Sequence, residues 1–453
     1  MGALQEFPQK ESMIPFCKWC YTIDLPEKAP WVMRRAFNIA RSPPPGPVFV
    51  EVPIDVGQTE FDLKEEYKPA PFAKCAGEPG AIREASELLM QADSPVIVAG
   101  RGIHQSTAWK ELQDLAELLA IPITTTNSGK SAISEDHPLY TGGIGINMTK
   151  VSEKIYNEAD VVFFIGTQLE EWATGLWHWF PSGAKIVYSD ADPTQMSRNW
   201  VPDVAIVGDA KLVLQQIINY CSKKVQKRSL EQYPRVKSLI KLKEEYRKEI
   251  EDLSKIDSIP IHPVRLVLTL NKLMDKDAIA ILGEGQNRVW TATYLQIKRA
   301  GHWISASDYG CMGLSVPAAI GVKLGKPNNQ VFCVTGDGSF QMQMHELPVA
   351  QQYNAPVVWF VADDGALGWI KWWQKDFKEG RIYAVNFEKT WRYDKIAEAC
   401  GAEGILVKRP TELEEAVNKA FKLNKEGKSV VVDVIISTVD HPYGSAKYHE
   451  LFR

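Results

Sequence analysis

The sequence predicts an α/β protein of two successive domains, each built on a parallel sheet, preceded by a short segment too small to bury a core of its own. Three observations carry this. Apolar runs of strand length alternate with helical patterns from about residue 80 to 222, and again from about 258 to 440, which is the signature of crossover units. A stretch rich in Lys, Arg and Glu, 223–257, separates them and reads as an exposed connecting helix. Glycine-bearing loops follow several strand runs, the place where open parallel sheets bind ligands.

The elements follow in chain order. Residues 1–57 read as a helix (Ala29–Ala40), a Pro-rich turn (Ser42–Pro45) and a strand (Pro47–Pro53), one crossover unit. Residues 58–79 are charged, carry Pro69 and Pro71, and read as a linker. Over 80–222 the strand candidates are Val96–Ala99, Ile121–Thr126, Val161–Ile165, Lys185–Ser189 and Val204–Val207, with helices such as Ile82–Gln91 and Trp109–Leu119 between them. In the second domain the strands fall near Ala278–Leu282, Gln330–Val334, Val357–Val361 and Ser429–Ile436. Residues 441–453 read as a tail.

Composition narrows the class of function. With 453 residues, 45% hydrophobic and 24% charged, the chain reads as a soluble globular protein. A net charge of −4 gives no electrostatic footprint for nucleic acid. No apolar run reaches the roughly 18 residues of a membrane span, and the first residues do not read as a signal peptide. Seven scattered cysteines suit a reducing compartment, and a cytoplasmic location is expected. Cys17-Lys18-Trp19-Cys20 is a lone C-x-x-C without a second pair at metal-finger spacing.

The chemistry concentrates in three loops. Gly336-Asp337-Gly338-Ser339 follows the apolar run Val331–Val334, and Asp364, in Ala362-Asp363-Asp364-Gly365, lies 27 residues after Asp337. Gly283-Glu284-Gly285-Gln286-Asn287 follows a third run. Gly-Asp-Gly is also ordinary turn chemistry. Taken together, though, the loops bring carboxylate oxygens to one end of a sheet, where hard ligands suit magnesium or calcium. The amides of Gly338 and Ser339, near a helix start, suit a phosphate. The residues alone therefore suggest a metal-bridged phosphate or diphosphate.

At this point the sequence resembles a family. The Gly-Asp-Gly motif, the fixed gap and the paired polar site resemble the diphosphate-binding domain of thiamine diphosphate-dependent enzymes of the acetolactate synthase (acetohydroxyacid synthase) group. Where that family ends the motif in Asn-Asn, this chain has Asp363-Asp364. The resemblance implies magnesium held by Asp337, Asp364 and the main-chain carbonyl of Ala366, with Lys371 offsetting the extra charge. "GCMGLSVPAAIG", Gly310–Gly321, resembles the segment in which Met312 props the cofactor's bent shape and Gly310 holds its aminopyrimidine; an isolated Met is otherwise plain core. "GQNRVW", Gly285–Trp290, resembles the diphosphate contact, with Asn287 in place of the family's His. Trp373 matches a tryptophan that selects the second 2-oxoacid, and Trp369 replaces a methionine and should narrow that substrate pocket.

The middle of the chain resembles the family's central, Rossmann-like domain, through "TTNSGKSAISEDHPLYTGGIG" and "YSDADPTQMSRN". That domain binds FAD in acetolactate synthases, but Gln168 stands where a flavin-binding arginine is expected, so FAD stays open. Asp190 and Asp192 read either as nucleotide contacts or as strand-end caps. Residues 1–57, through "GALQEFPQ", "PFCKW" and "GPVFVEVPIDV", resemble only the end of the pyrimidine-binding domain. About a hundred residues of that pattern, with the glutamate that activates the cofactor, have no counterpart here, so the catalytic acid is unknown.

The resemblance implies decarboxylation of a 2-oxoacid and transfer to a second carbonyl, as in branched-chain amino acid biosynthesis. The alternatives are simple 2-oxoacid decarboxylation, a non-catalytic remnant, or a split subunit whose partner supplies the missing domain. A homodimer or tetramer, or a hetero-oligomer, is expected.

Overall fold

The computed structural model describes residues 6–63, 66–305, 309–389, 391–438 and 441–452. Gly2–Gln5 of the opening motif, Lys64 and Glu65 of the linker and Arg453 of the tail lie outside the described residues. After a short helix, Gln9–Met13, come β1 (Trp19–Thr22), a helix (Ala29–Arg41) and β2 (Val48–Glu51). The two strands pair in parallel, Trp19 with Val48 through Thr22 with Glu51. Pro47 and Pro53 bracket β2 and, having no N–H to donate, shorten the expected strand at both ends.

The central sheet holds β3 (Pro95–Ala99), β4 (Ile123–Thr125), β5 (Tyr140–Gly143), β6 (Val161–Ile165), β7 (Lys185–Asp190) and β8 (Val204–Val207). Their order is β5-β4-β3-β6-β7-β8, all parallel. Both faces are covered. Val161, Phe163 and Ile165 of β6 pack with Leu89, Leu112, Leu115 and Leu214 from helices Pro79–Gln91, Trp109–Leu119 and Ala210–Cys221. Val162 and Phe164 point the other way, toward Ile144, Tyr156 and Tyr188. A strand buried on both faces needs apolar residues at every position, so β6 reads as an unbroken run. The edge strand β5, with two glycines, has no such run and was not foreseen.

The second sheet holds β9 (Ile279–Leu282), β10 (Trp303–Ser305), β11 (Val331–Gly336), β12 (Val358–Asp363), β13 (Glu403–Val407) and β14 (Val430–Ile435), in the order β10-β9-β11-β12-β14-β13. Again every pairing is parallel. Phe332 and Val334 face one core, and Val331 and Cys333 the other. The sequence reading lacks β10, only three residues long, and β13, a half-exposed edge.

The winding reverses between β3 and β6 in the central sheet and between β9 and β11 in the second, where β13 and β14 also exchange order at the far edge. A crevice opens beyond the carboxyl ends of the strands at such a point. One cleft of each domain lies there.

Within 223–257 the helix runs only from Pro234 to Leu253. Pro234 begins it, where a missing N–H costs nothing. The last helix, Tyr443–Glu450, docks on the central domain. Tyr443 and Lys447 donate to Glu153, and the Tyr448 hydroxyl donates to Glu171. Gly444 lies so close to residues 146–148 that a Cβ there would meet the Met148 nitrogen at 2.5 Å. Among the described residues, no helix is long and apolar enough to cross a membrane.

Candidate active site

The crevice between β9 and β11 is a cleft of about 310 Å³. The loop after β9 supplies Glu284 to Asn287, and the loop after β11 supplies Gly336 to Ser339. The loop after β12 adds Asp364 and Ala366. Gly310 and Met312 complete the rim, Gly310 in the left-handed region (φ +71°) that favours glycine. Parallel register explains the convergence: Val334 pairs with Leu282, and Gly336 with Ala362. The three loops therefore leave the sheet side by side.

Backbone must approach backbone closely here. A Cβ on Gly283 would lie 2.9 Å from the Thr335 Cα. One on Gly338 would lie 2.9 Å from the Leu367 side chain and 3.4 Å from the Met312 tip.

The electrostatics are strongly one-sided. Asp337 is 1% exposed, and its Oδ1 accepts from the Gly338 amide at 2.8 Å. That amide is thus already engaged by a side chain. Asp363 Oδ1 accepts from the Gly365 amide at 3.0 Å. Among the described residues, no donor reaches Oδ2 of either carboxyl. A third carboxyl, Asp433 on β14, is fully buried and accepts from the Tyr393 amide at 3.1 Å.

Burial first, then the charges of Asp364 and Asp363, push the Asp337 carboxyl well above the usual range. Burial and then the charge of Asp363 push Asp433 up to about 7. Burial lifts Asp364 to about 6, against the opposing pull of Thr438 and Lys371. Buried carboxylates without donors are costly, and a hard divalent cation is the partner this oxygen set fits.

Gln286 ties Asp364 into the fold. With its amide turned so that donors meet acceptors, its side-chain nitrogen donates to Asp364 Oδ2 at 3.0 Å and its oxygen accepts from the Trp372 indole at 3.3 Å. Asn287 is buried, with Nδ2 3.5 Å from the Val334 carbonyl. The Ser339 hydroxyl accepts from the Gly313 amide at 2.9 Å.

The sequence reading missed three lining residues. Glu284 and Arg288 form a buried ion pair at 2.8 Å, and Trp172 reaches the cleft from the central domain. Glu284 and Arg288 lie inside the loop and the GQNRVW segment quoted above, but the pattern gives neither a role; Trp172 belongs to no motif, and tertiary proximity reveals it.

Trp369 lines the cleft, next to Trp172 at 5.7 Å between ring centres. Trp373 does not reach it. Four residues further along the helix Gly368–Phe377, it packs against Phe377, His449 and Phe452. The helix leans over the cleft with its first turn only, and the rest of its stripe faces the C-terminal segment.

The crevice between β3 and β6 is larger, about 630 Å³. Gln168, Asp190 and Asp192 line it, with Arg41, Lys74 and Arg101. Asp192 also caps the turn Pro193–Gln195, accepting from the Thr194 amide at 2.9 Å. Burial, more than the nearby Asp192, raises Asp190 to about 6.

Comparison with known proteins agrees with this geometry. Residues 82–217 match the thiamine pyrophosphate enzyme central domain, and residues 283–434 match the thiamine pyrophosphate enzyme C-terminal TPP binding domain. A probable acetolactate synthase large subunit of Methanococcus aeolicus is 34% identical over 436 residues, 93% of this chain and 73% of that protein. The acetolactate synthase large subunit of Buchnera aphidicola subsp. Schizaphis graminum is 32% identical over 445 residues, covering 95% and 75%. A glyoxylate carboligase of Escherichia coli O157:H7 is 31% identical over 437 residues, covering 94% and 73%.

Proposed function

Because the chain belongs to the thiamine pyrophosphate enzymes, in the family of acetolactate synthase large subunits, we propose that its 310 Å³ cleft binds the diphosphate of thiamine diphosphate through magnesium. Asp337, Asp364 and the Ala366 carbonyl would hold the ion. The observation that carries this reading is the buried Asp337 Oδ2, without a donor among the described residues, at the point where the sheet reverses its winding. When bound, thiamine diphosphate supplies the electron sink for loss of carbon dioxide from a 2-oxoacid.

The remaining work belongs to the chain's own residues. Gln286 orients Asp364 and offsets part of its charge. Gly338 keeps the floor of the cleft open. Met312 supports the middle of the cofactor from the rim, with Gly310, Gly285, Asn287, Gly336 and Ser339 around it. Trp369, Trp172 and Leu367 exclude water and shape the acceptor end. Trp369, which lines the cleft, would select the second substrate, in preference to Trp373.

Carboligation is the favoured outcome over simple decarboxylation, and relatives named for acetolactate synthesis and glyoxylate carboligation support it. The substrate is a small 2-oxoacid, and the working unit is an oligomer, homomeric or with a second kind of chain. The larger crevice is proposed as a nucleotide-cofactor site, FAD in the first instance. Arg41, Lys74 and Arg101 support that reading, and flavin absorbance retained after gel filtration tests it.

Calorimetric titration of thiamine diphosphate, with and without magnesium, tests the main assignment. Magnesium-dependent binding that Asp337→Ala abolishes is the expected result. Equal cofactor affinity in wild type and variant overturns it. Product analysis from pyruvate with 2-oxobutyrate, on the complete assembly, separates carboligation from decarboxylation. Trp369→Met should change the product ratio and Trp373→Leu should not.

A further inference from the structure

Three ionisable side chains that this reading leaves unused meet where the helix Gly368–Phe377 faces the C-terminal helix. Asp376 Oδ2 lies 2.8 Å from His441 Nε2 and 2.8 Å from His449 Nδ1. The three potential ligand atoms all lie within 4.8 Å of one another. The cluster is interior: Asp376 is 9%, His441 11% and His449 2% exposed. Aromatic rings wall it, with Trp372 3.9 Å from the His441 ring and Phe377 5.4 Å from the His449 ring.

We propose that Asp376, His441 and His449 form a site for a zinc-class divalent ion, which pins the C-terminal helix to the helix that carries Trp369.

Four features support it. Two imidazoles and a carboxylate make the borderline donor set that zinc, cobalt and nickel prefer, and that magnesium does not. The donors come from two separate elements, so an ion would cross-link them. Ser445 Oγ sits 3.1 Å from His441 Nδ1, which fixes the ring and aims Nε2 inward, the outer-shell arrangement seen around metal-bound histidines. The spacing is also nearly right: bonds of about 2.0–2.1 Å to a tetrahedral ion set donor separations of about 3.3 Å. The 2.8 Å contacts need to open by only about half an ångström to accept one. The second Asp376 oxygen or a water completes the shell.

The site is distinct from the magnesium site proposed above, yet linked to it. The His441 ring packs at a tilt against Trp372, whose indole donates to Gln286, which holds Asp364. An ion here would steady that wall of the cleft.

The test uses the full chain with zinc alone, then cobalt as a visible reporter, both in excess magnesium. After desalting, wild type should retain about one zinc per chain, melt higher with zinc, and show tetrahedral cobalt absorption. Asp376→Asn keeps the shape and packing but should weaken zinc binding about 10-fold or more, as should His441→Gln. Asp337→Ala should keep this ion, which separates the result from failure of the cofactor reading. Retention of less than about a tenth of an ion per wild-type chain overturns the proposal. So does unchanged zinc affinity in both Asp376→Asn and His441→Gln, which would leave the cluster as a hydrogen-bond network only.

Discussion

The guanidinium carbon of Arg288 stands 4.7 Å from the centre of the Trp172 ring, so a cation of the second domain is held by an aromatic of the central one. Arg288 also neutralises Glu284, one turn earlier, in a setting where both are nearly fully buried.

Breaking that pair from one side should be expensive. Arg288→Met leaves a buried carboxylate without its cation, at a cost of about 3–5 kcal/mol. The double variant with Glu284→Gln should recover a good part of the loss. Trp172→Leu should cost up to about 2 kcal/mol of cation–π attraction, and little of that once Arg288 is gone. A double-mutant cycle by denaturant unfolding measures both couplings; additive losses would remove the claimed contact.

Asp337 should trade stability for binding. In metal-free protein, Asp337→Asn removes one of several crowded carboxyls and should raise the melting temperature by a few degrees, about 1–2 kcal/mol. The same substitution should eliminate magnesium-dependent cofactor binding. Scanning calorimetry in chelator, set beside a magnesium titration, reads the two effects; a residue serving only structure would lower the melting temperature instead.

Two glycines of the cleft should behave differently. Gly283→Ala drives a Cβ into the Thr335 backbone of β11, which cannot move aside, and should destabilise by about 2 kcal/mol or more. Gly338→Ala meets the end of Leu367, which can turn away. It should melt within a few degrees of wild type yet bind thiamine diphosphate more weakly. Adding Leu367→Ala to Gly338→Ala should recover part of the affinity. Thermal melts and cofactor titration on the same four proteins decide this.

Asp190 gives the central crevice a pH signature. Its carboxyl titrates at about 6 in the fold and near 4 in the unfolded chain. Between those values the native state holds the extra proton, so stability falls as pH rises from about 4 through 6 and then levels. The loss amounts to about 3 kcal/mol at neutral pH. Asp190→Asn should flatten that slope and melt higher than wild type at pH 8. Parallel melts from pH 4 to 8 reveal it, and equal slopes would mean that water screens the carboxyl.

How much of this was legible depends on where the signal lies. Strands buried on both faces, such as β6 and β11, announce themselves as apolar runs. Asp337 and Asp364 were found because parallel strands discharge their loops at one end, so sequence spacing maps onto space. The edge strands β5, β10 and β13 are short or glycine-bearing, and pairing rather than composition makes them strands. Trp172 and Asp433 gain meaning only from neighbours distant in sequence, and Arg288 in part from one, Trp172. Trp373 came from a family position alone, and its contacts with Phe377 and Phe452 are with neighbours that the motif does not name.

The last helix carries a consequence for how the molecule is made. Tyr443, Lys447 and Tyr448 grip the central domain, while His441 and His449 grip the helix that ends at Phe377. Each sheet is complete before these residues emerge from the ribosome, since β14 ends at Ile435. Domains generally fold as units during synthesis, so two finished bodies, already touching through Arg288 on Trp172 and Glu135 on Ile297, would gain this last clasp only with these residues. Nascent chains stalled before His441 should therefore contain two protease-resistant domains whose junction is cut faster than in the released full chain.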